Sequence, residues 1–263
     1  YRTVSKQGEI ITAPGQVAGA MRRAFHALRN GRSGPVIVEI PADVGPMEVP
    51  ESGLDYQPPK RALQSPASGD VTDAVKLLLN AKKPVIWSGM GVLFSEATAE
   101  LQEFAELTEI PVYCTMPGKS SFDERHPLAL GAGSSSTSLP ARTWLQESDV
   151  LFAVGSSMTR TNYGQPIPDG KVIIHNVESI EDINKDFSVD VGLPGDTKLT
   201  LTAMIAEVKA QIGANGRKGQ TDVAKEIADM RDAWLGEWQD LLNSEEVPIN
   251  TYRIIAELER CLD

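Results

Sequence analysis

The sequence predicts an α/β chain: a doubly wound parallel sheet of five or six strands over residues 67–213, helices on both faces, and partial segments flanking it. Three observations predict this. Pro84-Val85-Ile86-Trp87-Ser88 runs into Gly89-Met90-Gly91 and then into a helical pattern. Short apolar runs alternate with 3.6-residue periodicity from there to residue 213, as parallel pairing with helical crossovers requires. Glycine, proline and aspartate punctuate the junctions, as turns and helix starts demand.

Taken in order, residues 16–29 place Val17, Met21, Ala24 and Leu28 at helical spacing after Pro14, and Gly31 and Gly34 end that helix. Pro35-Val36-Ile37-Val38-Glu39-Ile40-Pro41 reads as a buried strand. One helix and one strand cannot bury themselves, so this segment is expected to end a larger sheet. Five prolines between Pro46 and Pro66, without apolar periodicity, mark an extended connector. Asp70 is read as the cap of a helix with Val71, Ala74, Val75, Leu78 and Leu79 on one face.

Pro84 suits the first position of a strand, and the continuous apolar run after it suits burial on both faces. The glycines allow a close backbone approach above the strand. Ser95 is read as the cap of a helix whose inner face is Ala97, Leu101, Phe104, Ala105 and Thr108. Residues 110–114 form the second strand, 131–138 a Gly/Ser-rich loop, and 140–146 a short helix with proline in its first turn. Residues 149–154, 171–175 and 189–191 are three more strands. The helix after Asp196 buries Leu201, Ile205, Val208 and Ile212. Beyond a polar break at 214–220, Val223, Ile227, Met230, Trp234 and Leu241 face one way on a helix, with Trp238 beside them. Ile254, Leu258 and Cys261 begin a last helix with an unpartnered face.

Acidic residues outnumber basic ones 36 to 25, a net charge of −11. With no basic excess to displace counterions, the charge argues against a nucleic-acid or anionic-membrane partner. No run is long enough to cross a bilayer and no signal peptide precedes Tyr1, so a cytoplasmic location is expected. Cys114 and Cys261 lie far apart and read as thiols in a reducing compartment. A start at Tyr1 without methionine is expected of a trimmed fragment.

Ligands of parallel sheets bind beyond the carboxyl ends of the strands, where strand order reverses. The loops there, 89–94, 115–121, 131–138, 155–165 and 176–179, are rich in Gly, Ser, Thr and Asn. Both a nucleotide crevice and an empty one fit them. Phe94 replaces the third glycine of the dinucleotide fingerprint, and Cys114-Thr115 brings no acid to a ribose, which tells against ordinary NAD use. Lys119 and Arg160 are the basic side chains of these loops. The serines at 134–136 and 156–157 lack a nucleophile elbow. His26, His126 and His175 are too scattered for a metal site and read as packed residues; Asp182 and Asp186 read as caps or solvated surface. No catalytic or metal-binding residue is assigned.

The ordered set of motifs resembles thiamine-diphosphate-dependent enzymes of the acetolactate synthase and pyruvate decarboxylase type. Gly31-Arg32-Ser33-Gly34-Pro35-Val36 with Ile40-Pro41-Ala42-Asp43-Val44 resembles the end of that family's pyrimidine-binding domain. Lys83-Pro84-Val85-Ile86 with Gly89-Met90-Gly91-Val92 resembles the start of its Rossmann-like central domain. Ile110-Pro111-Val112, Gly118-Lys119, His126-Pro127-Leu128, Ser148-Asp149-Val150-Leu151, Gly155 with Thr159, Val189-Asp190-Val191-Gly192 and Gly195-Asp196 continue it. Residues 249–262 resemble the entry to its diphosphate-binding domain.

The resemblance implies a pyrimidine-domain end over 1–45, a linker over 46–66, the central domain over 67–213, a linker and helix over 214–247, and the start of a diphosphate domain over 248–263. It implies thiamine diphosphate and Mg²⁺ acting on 2-oxo acids, with the activating glutamate and the metal site outside this chain. It also implies flanking domains of a parent chain and a homo-oligomer as partners, and FAD or ADP in the central domain. The positions carried over are Gly89, Met90 and Gly91 near phosphates, with Thr115 and Met116 alongside. Gly155, Ser156, Ser157, Arg160, Asn176 and Asp190 fall nearer ribose and adenine. Ser157 stands where flavin members place arginine, and Asn176-Val177-Glu178 where Asp-Ile-Asp is usual. FAD, ADP and an empty crevice therefore remain the alternatives for the cleft, and a free-standing FAD- or ADP-binding module or a purely structural spacer the alternatives for the chain.

Overall fold

A computed structural model describes residues 3–51 and 55–262. Tyr1 and Asp263, the two ends of the expected domain division, lie outside the described residues, as does part of the 46–66 connector.

Strand β1 (Gln7–Ile10), helix α1 (Val17–Arg29) and strand β2 (Val36–Glu39) form an N-terminal lobe. The two strands pair in parallel, Gln7 opposite Val36, in a sheet of their own. β1 was not expected; Gln7-Gly8-Glu9-Ile10 carries no strand signal of its own and is recruited by pairing. The buried face of α1 is Ala20, Ala24 and Ala27 rather than the expected Val17, Met21, Ala24 and Leu28. A two-stranded sheet is too narrow to cover the larger residues, and Leu28 stays 39% exposed.

The main sheet has six parallel strands: β3 (Pro84–Ser88), β4 (Val112–Thr115), β5 (Ala129–Gly133), β6 (Val150–Val154), β7 (Val172–Val177) and β8 (Val191–Pro194). Their order is β5-β4-β3-β6-β7-β8, so chain direction across the sheet reverses between β3 and β6. β5 falls in what reads as a Gly/Ser-rich loop. Ala129-Leu130-Gly131-Ala132-Gly133 lacks β-branched residues, and Gly131 takes φ +91° where the register slips against Val112 and Tyr113. Pairing with β4 overrides the weak local preference.

Helices α2 (Ser68–Asn80), α4 (Thr98–Thr108) and α6 (Thr197–Ile212) cover one face. Their core includes Leu78, Leu101, Phe104 and Leu201, with Phe104 and Phe152 packed edge to face at 5.8 Å. Burying each such side chain stabilises by about 1.5–3 kcal/mol. A short helix α3 (Gly91–Phe94) precedes α4, so Ser95 ends α3 instead of capping α4, whose N-cap is Ala97. Asp70 likewise lies within the first turn of α2, and Ala67 is its N-cap. Both expected inner faces are buried as read. Ile212, by contrast, is 40% exposed where α6 runs past the sheet.

Helices α5 (Leu139–Glu147) and α7 (Val223–Gly236) cover the opposite face, through Trp144, Leu145 and Ile227. The expected single helix through Leu241 breaks after Gly236, and α8 (Gln239–Leu242) follows separately. On α9 (Thr251–Cys261) only Ala256 is buried, and Ile255 and Leu258 are 61% and 53% exposed. No helix among the described residues is long and apolar enough to cross a membrane.

Asp149, just before β6, accepts hydrogen bonds from the backbone N–H groups of Lys82 (2.8 Å) and Lys83 (2.9 Å), locking the entry to β3. Burial alone would raise its carboxyl, but these N–H donors outweigh it and hold the pKa below the ordinary value. Such a group stabilises fully above its unfolded pKa of about 3.9, and the contribution is lost as pH falls through the lower folded value. Asp149→Ala is expected to cost about 1–2 kcal/mol at pH 7, partial exposure trimming the usual charged hydrogen bond. Urea unfolding of both proteins should show the gap shrinking below about pH 4.

Candidate functional site

The carboxyl ends of β3 and β6, the strands flanking the reversal, are sealed by backbone against backbone. Gly91 N–H donates to Gly155 O at 2.7 Å, Gly89 N–H to Val154 O at 2.9 Å, and Gly155 N–H to Asn176 O at 3.0 Å. A Cβ on Gly91 would fall 2.7 Å from Gly155 Cα, and one on Gly118 2.6 Å from Ser88 O. These glycines are required by the close packing of neighbouring loops. Gly155 also takes φ +59°.

Above this seal lies a cleft of about 1720 Å³. Its floor and one wall come from the loops after β3, β4, β6 and β7, and its other wall from the N-terminal lobe through Leu28, Arg29 and Arg32. Gly89, Met90, Gly91, Thr115, Met116, Gly155, Ser156, Ser157 and Arg160 all line it. Met90, Met116 and Phe94 leave 44%, 53% and 70% of their surface exposed there. Apolar surface held open beside hydroxyls and arginines is the usual composition of a small-molecule site.

Asn176 and Asp190 do not line the cleft themselves, while Val177, Glu178 and Ser179, next to Asn176, do. Asn176 is fully buried; its Nδ2 donates to Leu193 O (2.9 Å), Gly195 O (3.3 Å) and Thr200 Oγ1 (3.0 Å), tying β7 to β8 and α6. Asp190 Oδ2 accepts from Ile173 N–H at 2.8 Å, at the amino ends of β7 and β8. That is the wrong edge of the sheet for a cleft ligand. Lys119 is drawn to Glu124 instead of into the cleft.

The cations of the cleft differ in how they are held. Arg32 Nη1 lies 3.1 Å from both oxygens of Asp182, which also accepts from Lys185 Nζ at 2.6 Å. Asp182 is only 5% exposed, so it is a buried clamp between the lobes and not the solvated residue the sequence suggests. Arg61 reaches Glu178 (3.3 Å) and Asp196 (3.5 Å). Arg160 instead lays its guanidinium 4.6 Å above the Phe187 ring, while its backbone N–H donates to Asp186 at 2.8 Å. Arg29 and Arg32 reach the cleft through docking of the N-terminal lobe and Arg61 through the connector, placements that no local pattern announces.

His175 is fully buried beneath the loop after β6, its Nε2 2.7 Å from Ser156 O. Burial pushes its pKa below the ordinary value. His126 accepts from Leu128 N–H through Nδ1 and packs against Phe122, and His26 lies 3.1 Å from Asn30 Nδ2. Among the described residues no group of three or more His, Cys, Asp and Glu could hold a metal ion. Asp196 does not fit a cation–diphosphate site: Oδ1 caps Leu199 N–H at 3.0 Å and Oδ2 faces Arg61.

With this geometry in view, a family profile described as "Thiamine pyrophosphate enzyme, central domain" matches residues 71–204. The chain is 35% identical over 236 residues to the acetolactate synthase large subunit of Corynebacterium glutamicum, covering 86% of this chain and 36% of that protein. It is 28% identical over 269 residues to glyoxylate carboligase of Escherichia coli O157:H7, covering 98% of this chain and 44% of that one. The chain therefore spans less than half the length of these curated relatives. The crystal structure of benzoylformate decarboxylase from Polynucleobacter necessarius superposes with a TM-score of 0.65 at 24% identity, over 76% of this chain and 38% of that one, a likeness of fold. The six-stranded parallel sheet and the match over 71–204 together place the chain in the thiamine pyrophosphate enzyme family, carrying its central domain.

Proposed function

We propose that this chain is the middle of an acetolactate-synthase-like enzyme that joins or decarboxylates 2-oxo acids, and that its cleft holds an adenine nucleotide, FAD or ADP. The observation carrying the nucleotide reading is the position of the cleft. It opens at the strand-order reversal of a doubly wound sheet and gathers glycine turns, serine hydroxyls and Arg160 at one place. Gly89, Met90 and Gly91 with Gly155, Ser156, Ser157 and Arg160 would hold the diphosphate and ribose, Thr115 and Met116 lying alongside. When bound, the nucleotide would bridge the two lobes that wall the cleft.

Thiamine diphosphate supplies the electron sink for loss of CO₂ from a 2-oxo acid. Its ligands, with the Mg²⁺ site, are proposed to lie outside this chain, in the flanking pyrimidine- and diphosphate-binding domains whose ends are read at 1–45 and 248–263. The parent is proposed to be a cytoplasmic homo-oligomer; two free thiols, Cys114 and Cys261, suit a reducing compartment.

The glycine packing favours a second reading, a spacer with an unliganded crevice, because Gly89, Gly91 and Gly155 are explained by the loops' mutual contact alone. Calorimetric titration with ADP, FAD and NAD separates the two. The nucleotide reading expects saturable heat with ADP or FAD and none with NAD; the spacer reading expects none with any of them.

A further inference from the structure

We infer that His175 is a positioning residue for the cleft, and that its proton is coupled to occupation of the cleft by a phosphate-bearing ligand. This rests on the nucleotide reading above. His175 sits in the row that crosses the sheet through Ala153 and Gly192, and neither neighbour brings a charge or a polar side chain. Its Nε2–H reaches Ser156 O, so the ring holds the loop whose Ser156, Ser157 and Arg160 line the cleft. Its Nδ1 is buried and has no hydrogen-bond partner among the described residues. One ring nitrogen is therefore committed to the cleft floor and the other is free to take a proton.

The charged groups facing it, Asp182 and Lys185, come from the turn after β7, and Asp182 is already bound to Arg32 and Lys185. In the loop above, the Arg160 guanidinium lies over the Phe187 ring and its backbone N–H donates to Asp186. With the cleft free of anions, burial keeps the imidazole neutral, and the carboxylate best placed to offset a second proton is already shared between two cations. A diphosphate laid against Ser156–Arg160 adds negative charge one peptide away from the ring and favours the imidazolium, protonated at Nδ1. Binding then takes up protons, and by linkage affinity rises as pH falls.

The test is calorimetric titration of the chain with ADP at pH 8 and pH 6, in buffers of unlike ionisation enthalpy, beside His175→Gln. Glutamine can still donate to Ser156 O but cannot titrate, so the variant reports the ionisation of ADP itself. The expected result is binding about 3- to 10-fold tighter at pH 6 than at pH 8 beyond whatever the variant shows, with extra proton uptake in the wild type only. Equal pH dependence in both proteins overturns the role of His175 and leaves the nucleotide reading standing. No heat from any nucleotide at either pH overturns both. If the variant does not fold, NMR titration of the wild-type imidazole decides: a His175 pKa that rises on addition of ADP supports the coupling, and an unmoved one overturns it.

Discussion

Gly155→Ala is expected to destabilise the chain by about 2–5 kcal/mol, a change two separate effects produce together. An L-residue in the left-handed conformation that Gly155 holds, φ +59°, costs about 1–2 kcal/mol. Its Cβ would also fall 2.6 Å from Val92 N and 2.8 Å from Gly91 C, backbone atoms that cannot swing aside. Overpacking of that kind adds about 1–3 kcal/mol. Gly170→Ala separates the two effects, since Gly170 has φ +83° and, among the described residues, nothing within 4 Å of its Cβ site. That variant should lose only the conformational part. Urea unfolding reads both, as lowered midpoints at unchanged slope. Equal losses in the two variants would show that the loops after β3 and β6 are not interlocked. The same interlock forms the floor of the cleft, so Gly155→Ala should also weaken any nucleotide that binds there.

Much of this architecture was legible because the strongest signals are local. Buried strands such as Val150–Val154 are continuous apolar runs, and the faces of α2 and α4 repeat with helical period. Elements that depend on a partner were not legible. β1 and β5 have weak propensity and exist because β2 and β4 pair with them. Cap assignments at Asp70 and Ser95 failed because a further turn of helix precedes or interrupts the expected start, shifting the cap by two or three residues. At the cleft, the glycine and serine loops were legible from composition and strand ends. The hydrogen bonds by which Asn176 and Asp190 tie strands together were not, since they exist only once β7, β8 and α6 are packed. The arginines of the N-terminal lobe join the cleft only through contacts such as Arg32 with Asp182, separated by 150 residues in sequence.

The largest functional effect expected is all or none. Asp196 caps α6 and faces Arg61. On the proposed reading, in which thiamine diphosphate and Mg²⁺ are held by flanking domains, this chain given both with pyruvate is expected to release no CO₂ and form no carbon–carbon bond. The same chain extended at both ends, as its relatives are longer, should recover turnover. The lobes that flank the cleft would then be continuous with the domains that grip the cofactor.

Side-by-side assay of CO₂ release and thiamine diphosphate binding by the two lengths of chain tests the central claim most directly. The account expects silence from residues 1–263 and cofactor-dependent turnover from the extended protein. Turnover by the short chain, or an extended chain that fails to bind thiamine diphosphate, would contradict it.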